Sequence, residues 1–347
     1  MCVCSPSFPV LTMSAAASSA SAPCAPTLKL SSGGSIPVVG FGTWRAAPGE
    51  TESSVYCALQ SGYRHIDCAV IYANQKEVGA GIARALKEGL LKREELFVTT
   101  KVWNDSHTAD RTHKSMMDSL ADLQLDYLDL VLIHWPVEFA YLPEKGMFPR
   151  DDKGVVINDT DLAGGASVKA CWQALESLVQ QGLVRSIGVS NFSMEEIQAL
   201  MSYAKIKPVC DQVELQPYFQ QEELLAFAKS QDMILVAYSP LGNLRHKGTE
   251  HDTPLNDPVV ASLAKKHGKS PAQIILRWGV QHGHVVLPKS VTPSRIRENI
   301  AIFDFELSKE DMEAMRALGN KHKRYVNPNF AFKNGASGAH VFPKSAL

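Results

Sequence analysis

The chain has 347 residues, a formal net charge of −1, 45% hydrophobic residues and 20% charged ones. That composition excludes a largely disordered chain, and a near-zero charge with no Lys/Arg-rich run leaves no long-range field for nucleic acid or an anionic membrane. Of seven cysteines, Cys2, Cys4 and Cys24 precede the first charged residue, while Cys57, Cys68, Cys171 and Cys210 are scattered through apolar segments. This is not a disulfide framework; it reads as free thiols in a reducing, cytoplasmic setting.

Residues 1–26 carry no charge and are rich in Ser, Ala and Pro. They cannot bury a core and are expected to be a disordered extension, with a targeting segment as the alternative. Three Asn-x-Ser/Thr sequons, at Asn104, Asn158 and Asn191, are read as chance occurrences. From 27 to 347 a single domain is expected. Thr27 to Leu30 and Ser35 to Val38, split by Ser-Gly-Gly, predict a hairpin that closes one end of it. Eight strands are then expected, at Val39–Gly42, His65–Asp67, Leu96–Val102, Leu128–His134, Ser186–Ser190, Cys210–Leu215, Ile234–Tyr238 and Val285–Pro288. Segments of helical period lie between them, so the rhythm predicts repeated βα units and a (β/α)₈ barrel.

Helix signals support this. Val78, Ile82, Ala85 and Leu86 make one apolar face, and Ser193-Met-Glu-Glu196 forms a capping box. Thr292-Pro293 predicts an N-cap with Pro at N1, and an extra C-terminal helix is expected from Ser308. Residues 136–167 and 242–257 are the longest stretches without a periodic pattern, and are expected to be loops at the barrel mouth.

In a barrel the carboxyl ends of the strands carry the active site. Asp67 ends the second expected strand, with Tyr72 five residues on. Lys101 stands at the end of the third, and His134 ends the apolar run Leu128–Ile133 of the fourth. Each alone has a bland reading as a cap, a solvated cation or a hydrogen-bonded core histidine. Together they would set an acid, a phenol, a cation and an imidazole on one rim, and a cation beside a phenol favours proton donation.

There is no Rossmann fingerprint. Gly79-Ala-Gly-Ile-Ala-Arg84 lacks the third glycine and lies within an amphipathic helix, so it reads as helix packing. By contrast, Lys289-Ser-Val-Thr-Pro-Ser-Arg295 sets two cations and two hydroxyls at a helix start after the eighth strand, where barrels commonly bind phosphate. No His-Glu-x-x-His or comparable spacing suggests a metal; His282-Gly-His284 falls before the eighth strand, at the wrong end for a metal hydrolase.

His65-Ile-Asp-Cys-Ala-Val-Ile-Tyr72, Val98-Thr-Thr-Lys101 and Leu132-Ile-His-Trp-Pro136 closely resemble the catalytic segments of the aldo-keto reductases. Gly40-Phe-Gly-Thr-Trp44, Gly188-Val-Ser-Asn-Phe192, Gln212-Val-Glu214, Tyr238-Ser-Pro-Leu-Gly242 and Leu287-Pro-Lys-Ser290 match in the same order. The resemblance runs from about Leu28 into the 320s. It implies NADPH-dependent reduction of aldehydes or ketones, such as aldoses and small aliphatic or aromatic aldehydes. Tyr72 would be the proton donor, Lys101 held by Asp67 would lower the Tyr72 pKa, and His134 would orient the carbonyl.

It also implies that Ser190, Asn191 and Gln212 hold the carboxamide, that Tyr238 stacks on the nicotinamide, and that Ser239, Leu241, Gly242 and Lys289 line the pyrophosphate path. Thr43 would lie near the ribose, and Gly42, Trp44 and Asp67 are also expected to bind the cofactor. Lys289, Ser290, Val291, Thr292 and Arg295 would hold the 2′-phosphate, with Glu298 and Asn299 by the adenine. Trp44, Trp103 and Trp135, with Tyr72 and His134, would wall the pocket for a monomer's small-molecule carbonyl substrate. An NADP-linked alcohol or polyol dehydrogenase running in reverse, and a nucleotide-sensing subunit, are the rival readings.

Some residues depart from the family pattern. Asp211 stands where Asn is frequent and Gln216 where His is, and both are expected to alter the carboxamide's surroundings. Arg245 replaces an acid that often closes an ion-pair clasp over the pyrophosphate, and Arg45 is itself basic, so faster NADPH exchange is expected. Phe330, Phe332, His340 and Phe342, within Asn327–Leu347, match no known selectivity.

Overall fold

The computed structural model describes residues 25–159, 162, 165–242 and 252–326. The hairpin is β1 (Thr27–Lys29) and β2 (Ser35–Pro37), paired antiparallel with Leu28 opposite Ile36. Eight parallel strands follow: β3 (Phe41–Gly42), β4 (His65–Asp67), β5 (Phe97–Val102), β6 (Leu128–Ile133), β7 (Val184–Ser190), β8 (Cys210–Glu214), β9 (Ile234–Tyr238) and β10 (Val285–Val286). They pair in sequence order from β3 to β10. A parallel bridge from Val39 to Val286, with Gly40 N–H donating to the Val286 carbonyl at 2.9 Å, joins the last strand to the first. The sheet is therefore a closed (β/α)₈ barrel, as the βα rhythm predicts.

The helices are α1 (Thr51–Gln60), α2 (Gln75–Lys87), α3 (Ala109–Leu123), α4 (Val168–Gln180), α5 (Met194–Met201), α6 (Glu222–Ser230), α7 (Pro258–His267), α8 (Pro271–His282), α9 (Pro293–Ile300) and α10 (Lys309–Ala317). The expected extra C-terminal helix is α10, capped by Ser308. A second extra helix, α7, sits between β9 and α8.

Alternation along each strand divides the apolar residues between two cores. Leu130, Leu132, Cys210, Val236 and Leu287 fill the barrel, and Leu30 and Ile36 of the hairpin join them, sealing the amino-terminal end. The larger core lies between sheet and helices, and includes Val131, Ile133, Val189, Val213 and Trp172. Gly79 belongs to this layer. A Cβ there would stand 2.3 Å from the Asp122 carbonyl of α3, and one at Gly81 2.8 Å from the Glu52 carbonyl of α1. These glycines let three helices pack closely, as expected.

Three expectations change. Ala25 is already buried and the Pro26 carbonyl accepts from Val38 N at 2.9 Å, so packing begins before residue 27. The stretch 136–167 is not structureless: it has a short 3₁₀ turn at Pro143–Lys145 and antiparallel bridges Phe139 to Asn158 and Arg150 to Val156. Thr292 occupies the N-cap of α9, but its hydroxyl makes no capping bond; instead the Ser290 hydroxyl accepts from Thr292 N at 3.1 Å. A Ser two residues upstream folds the turn back on itself. Among the described residues no helix is long and apolar enough to cross a membrane.

Candidate active site

Asp67, Tyr72, Lys101 and His134 converge at the carboxyl end of the barrel. Lys101, the penultimate residue of β5, has no exposed surface. Its Nζ donates to Asp67 Oδ1 at 2.7 Å, to the Cys68 carbonyl at 2.9 Å and to Tyr72 Oη at 3.3 Å. All three ammonium protons are thereby directed. The second Asp67 oxygen accepts from Gln212 Nε2 at 2.8 Å, which ties β4 to β8 across the barrel mouth.

A buried ammonium is costly unless it is paired, and the nearby Asp67 carboxylate decides the balance. Burial opposes the charge on Lys101, but Asp67 and then Tyr72 hold it above the ordinary lysine range. Tyr72 has the opposite balance. Burial is the larger influence and pushes its phenol up to about 12, although the Lys101 charge pulls it down. The expectation that Lys101 lowers this pKa is correct in direction, but desolvation outweighs it. Tyr72 is a half-buried phenol that stays protonated at neutral pH.

His134 follows β6, and its amide donates to Val102 O at 3.1 Å. Burial, then the Lys101 charge, holds it well below the usual histidine range, so the imidazole is neutral. Its ring meets Tyr72 edge-on with centroids 5.9 Å apart, and Trp103 at 5.2 Å. Trp135 stacks beside it at 6.5 Å, and Trp44 lies 6.5 Å from Tyr72. Trp44 is 40% exposed whereas Trp103 and Trp135 are buried, so the three tryptophans span the mouth from solvent to interior.

Two members of this aromatic wall carried no readable signal. Phe139 and Phe148 pack on Trp103 at 5.8 and 5.1 Å. They come from 136–167, where no periodicity marks them. The Trp103 Nε1 anchors that segment by donating to Met147 O at 2.8 Å.

A second cluster joins β7, β8 and β9. Ser190 Oγ donates to Gln212 O at 2.7 Å, Asn191 Nδ2 donates to His134 O at 3.0 Å, and Tyr238 Oη donates to Asn191 Oδ1 at 2.8 Å. Asn191 adopts φ 64° and Ser239 φ 48°, turns that Asn tolerates best among residues with a Cβ. Thr43, after β3, donates its hydroxyl to Asp67 O at 2.9 Å. Gly42 packs against the carbonyls of Leu287 and Pro288.

After β10, Lys289 Nζ donates to Arg45 O at 3.2 Å, so Lys289, Ser290 and Val291 run beside the strand that follows the hairpin. Arg295 is exposed on the first turn of α9, Glu298 is half-buried, and Asn299 is buried. Leu241 and Gly242 end the described part of the β9 loop; Arg245, Phe330, Phe332, His340 and Phe342 lie outside the described residues. The Arg45 guanidinium covers Trp44 at 4.3 Å.

The two substituted positions behave differently from expectation. Gln216 is wholly buried but turns away from the carboxamide cluster: its Nε2 donates to Lys323 O at 2.8 Å and its Oε1 accepts from Tyr218 N at 2.8 Å. It holds the segment approaching the C terminus, as does Glu214, whose carboxylate accepts the Tyr325 and Val326 amides at 2.8 and 2.7 Å. Asp211 alternates with Cys210 of the inner core and shares the outward face of β8 with Val213. Asn104 and Asn191 of the sequons are buried at 1% and 3% exposure, which removes both as glycan acceptors in the folded chain.

Comparison with known proteins identifies the family. The Aldo/keto reductase family model matches residues 38–320. The chain is 44% identical over 302 residues to aldo-keto reductase family 1 member A1 of Cricetulus griseus, covering 86% of this chain and 91% of that protein. It is likewise 44% identical over 308 residues to member A1-A of Danio rerio, covering 87% and 92%. Among solved structures it superposes on Bombyx mori aldo-keto reductase in complex with NADP with a TM-score of 0.79 at 38% identity, covering 89% of this chain and 97% of that one. It superposes on the aldose reductase of Schistosoma japonicum with a TM-score of 0.82 at 38% identity, covering 92% and 98%. A barrel whose rim gathers Asp67, Lys101, Tyr72 and His134 in this way, matched along most of its length, makes the chain a member of the aldo-keto reductase family and an oxidoreductase.

Proposed function

We propose that the protein reduces aldehydes or ketones with NADPH, and that Tyr72 is the proton donor. The observation that carries this reading is Lys101 Nζ, set between Asp67 at 2.7 Å and Tyr72 at 3.3 Å in a fully buried position. A lysine so enclosed is of little use for solubility, and its one free choice of neighbour is a phenol.

Bound NADPH would supply the hydride to the carbonyl carbon. The chain's task is then the oxygen, on which negative charge grows. Tyr72 and the neutral imidazole of His134 are two hydrogen-bond donors facing one rim, and together they make an oxyanion site. An alkoxide is a far stronger base than the phenolate of a group titrating at about 12, so proton transfer from Tyr72 runs downhill. The ammonium of Lys101 stabilises the phenolate left behind, and Asp67 keeps that ammonium charged and aimed.

The residues fit the cofactor. Ser190, Asn191 and Gln212 offer the mixed donors and acceptors a carboxamide needs, and Tyr238 presents a ring beside them. Lys289, Ser290, Thr292 and Arg295 gather at the start of α9, where exposed amides and cations suit a phosphate. This favours NADPH over NADH. Flat aromatic walls from Trp44, Trp103 and Trp135 suit carbonyl compounds with an apolar portion, such as aromatic or aliphatic aldehydes.

The test follows NADPH consumption with a panel of aldehydes. Tyr72→Phe should keep NADPH affinity and lower kcat by about 10²–10⁴, the usual contribution of a general acid. Undiminished turnover in the variant would remove Tyr72 from the mechanism. Failure of the unmodified protein to bind NADPH would overturn the cofactor assignment.

A further inference from the structure

Glu214 is the last residue of β8 and lies two residues beyond Gln212, on the same face of the strand. It has no exposed surface, and its partner in register is Tyr238 at the end of β9. A carboxylate in such a place is costly unless its oxygens are engaged. Both are, and by a single peptide step of a distant segment. Oε1 accepts the Tyr325 amide at 2.8 Å, and Oε2 accepts the Val326 amide at 2.7 Å. Arg324 closes the arrangement: its Nε donates to the Val326 carbonyl at 2.9 Å and stands 3.9 Å from Glu214 Oε2.

Val326 belongs to no helix or strand, yet both its main-chain groups are fixed by buried charged side chains. Tyr325 anchors the same step elsewhere. Its ring is buried, its Oη donates to the Asp252 carbonyl at 2.8 Å, and a Cβ at Gly242 would stand 3.2 Å from the ring. Val326 itself packs against the cluster of Trp103, Trp135, Phe139 and Val156. That cluster is the aromatic wall beside His134, whose ring meets Trp103 and Trp135. Irregular backbone has many conformations open to it, and charge-assisted bonds to the end of a paired strand restrict this step to one.

We propose that Glu214 is a positioning residue for substrate choice: by seating the Tyr325–Val326 step on the end of β8, it makes Val326 part of the apolar wall against which an aromatic aldehyde packs. The proposal rests on the carbonyl-reductase reading above. Glu214 acts through Val326 and takes no part in the proton transfer.

The readout is the ratio of kcat/KM for benzaldehyde to that for glyceraldehyde, a small polar aldehyde. A loss of folded or NADPH-loaded protein lowers both values and cancels in the ratio. Val326→Ala should lower the ratio about tenfold, as a missing methylene in an apolar pocket does, through the benzaldehyde KM rather than kcat. Glu214→Ala should lower it as much although Val326 is intact, and Glu214→Gln, which keeps one amide acceptor, should recover part of the loss. Both substitutions act on one wall, so Glu214→Ala combined with Val326→Ala should fall no further than either alone. If Glu214→Ala does not fold, Glu214→Gln alone and combined with Val326→Ala carries the same comparison. An unchanged ratio in the Glu214 variants would overturn the proposal, as would a combined loss equal to the product of the two single ones. Absence of turnover of any aldehyde by the unmodified protein would instead strike the reductase reading itself.

Discussion

On the inner side of the sheet, Asp67 is 3% exposed and both its oxygens are engaged, one by Lys101 and one by Gln212. On the outer side, Asp211 is just as deeply placed, in register with Val189 and Leu235 and with no cation beside it among the described residues. The two differ in company rather than in depth. Burial sets the cost of a charge, and the neighbours decide whether the cost is met by pairing or avoided by keeping the proton.

Removing Lys101 should have the largest effect. Lys101→Met should convert the Asp67 site into one like that of Asp211, destabilising the fold by about 3–5 kcal/mol because a buried charge loses its partner. Denaturant unfolding measures this, and the double variant Asp67→Asn with Lys101→Met should recover part of the loss. A double variant no more stable than the single one would show that the pair is not coupled. Trp103→Ala should cost about 3 kcal/mol through the cavity beside Phe139 and Phe148, with a rise in KM larger than the fall in kcat.

The pH dependence sharpens the same contrast. With NADPH saturating, kcat/KM should be flat from pH 6 to 8. Tyr72 stays protonated until about 12, and His134, held low by burial and Lys101, is already neutral. A step near pH 6.5 would show that His134 titrates normally. On the outer side, a carboxyl with a raised folded-state pKa contributes full stability below its unfolded pKa, and that stability is lost as pH rises towards the folded value. Burial pushes Asp211 well above the usual carboxylate range, so Asp211→Asn should raise Tm without cofactor by a few degrees at pH 8, about the shift expected of 1 kcal/mol, and by nothing at pH 4. The smallest effect is expected at the edge of the proposed phosphate site, where Arg295→Ala should weaken NADPH about tenfold and leave NADH unchanged.

Much of this molecule is readable along the chain because its signals are local. A strand-end Asp, a Lys after three apolar or β-branched residues, and a His after six residues of β6 each sit at a fixed place in a periodic pattern. Barrel topology then brings them together. The capping box at Ser193 and the start of α10 are legible for the same reason. Interactions that depend on who lies opposite are not. Gln212 reaches Asp67 from 145 residues away and Gln216 turns to Lys323, neither of which leaves a mark in spacing. Phe139 and Phe148 are invisible because loop aromatics have no period.

The stretch between Phe139 and Asn158 carries its own two bridges, and Trp103 and Asn104 tether it to the rim through Met147 and Phe139. It behaves as a cassette. It is one contiguous piece docked on the rim through Trp103 and Asn104, while Asp67, Tyr72, Lys101 and His134 all come from β4 to β6 and the turns that follow them. Selection could exchange such an insert without retuning the chemistry, letting one reductive core acquire new clients by swapping a single contiguous piece of sequence.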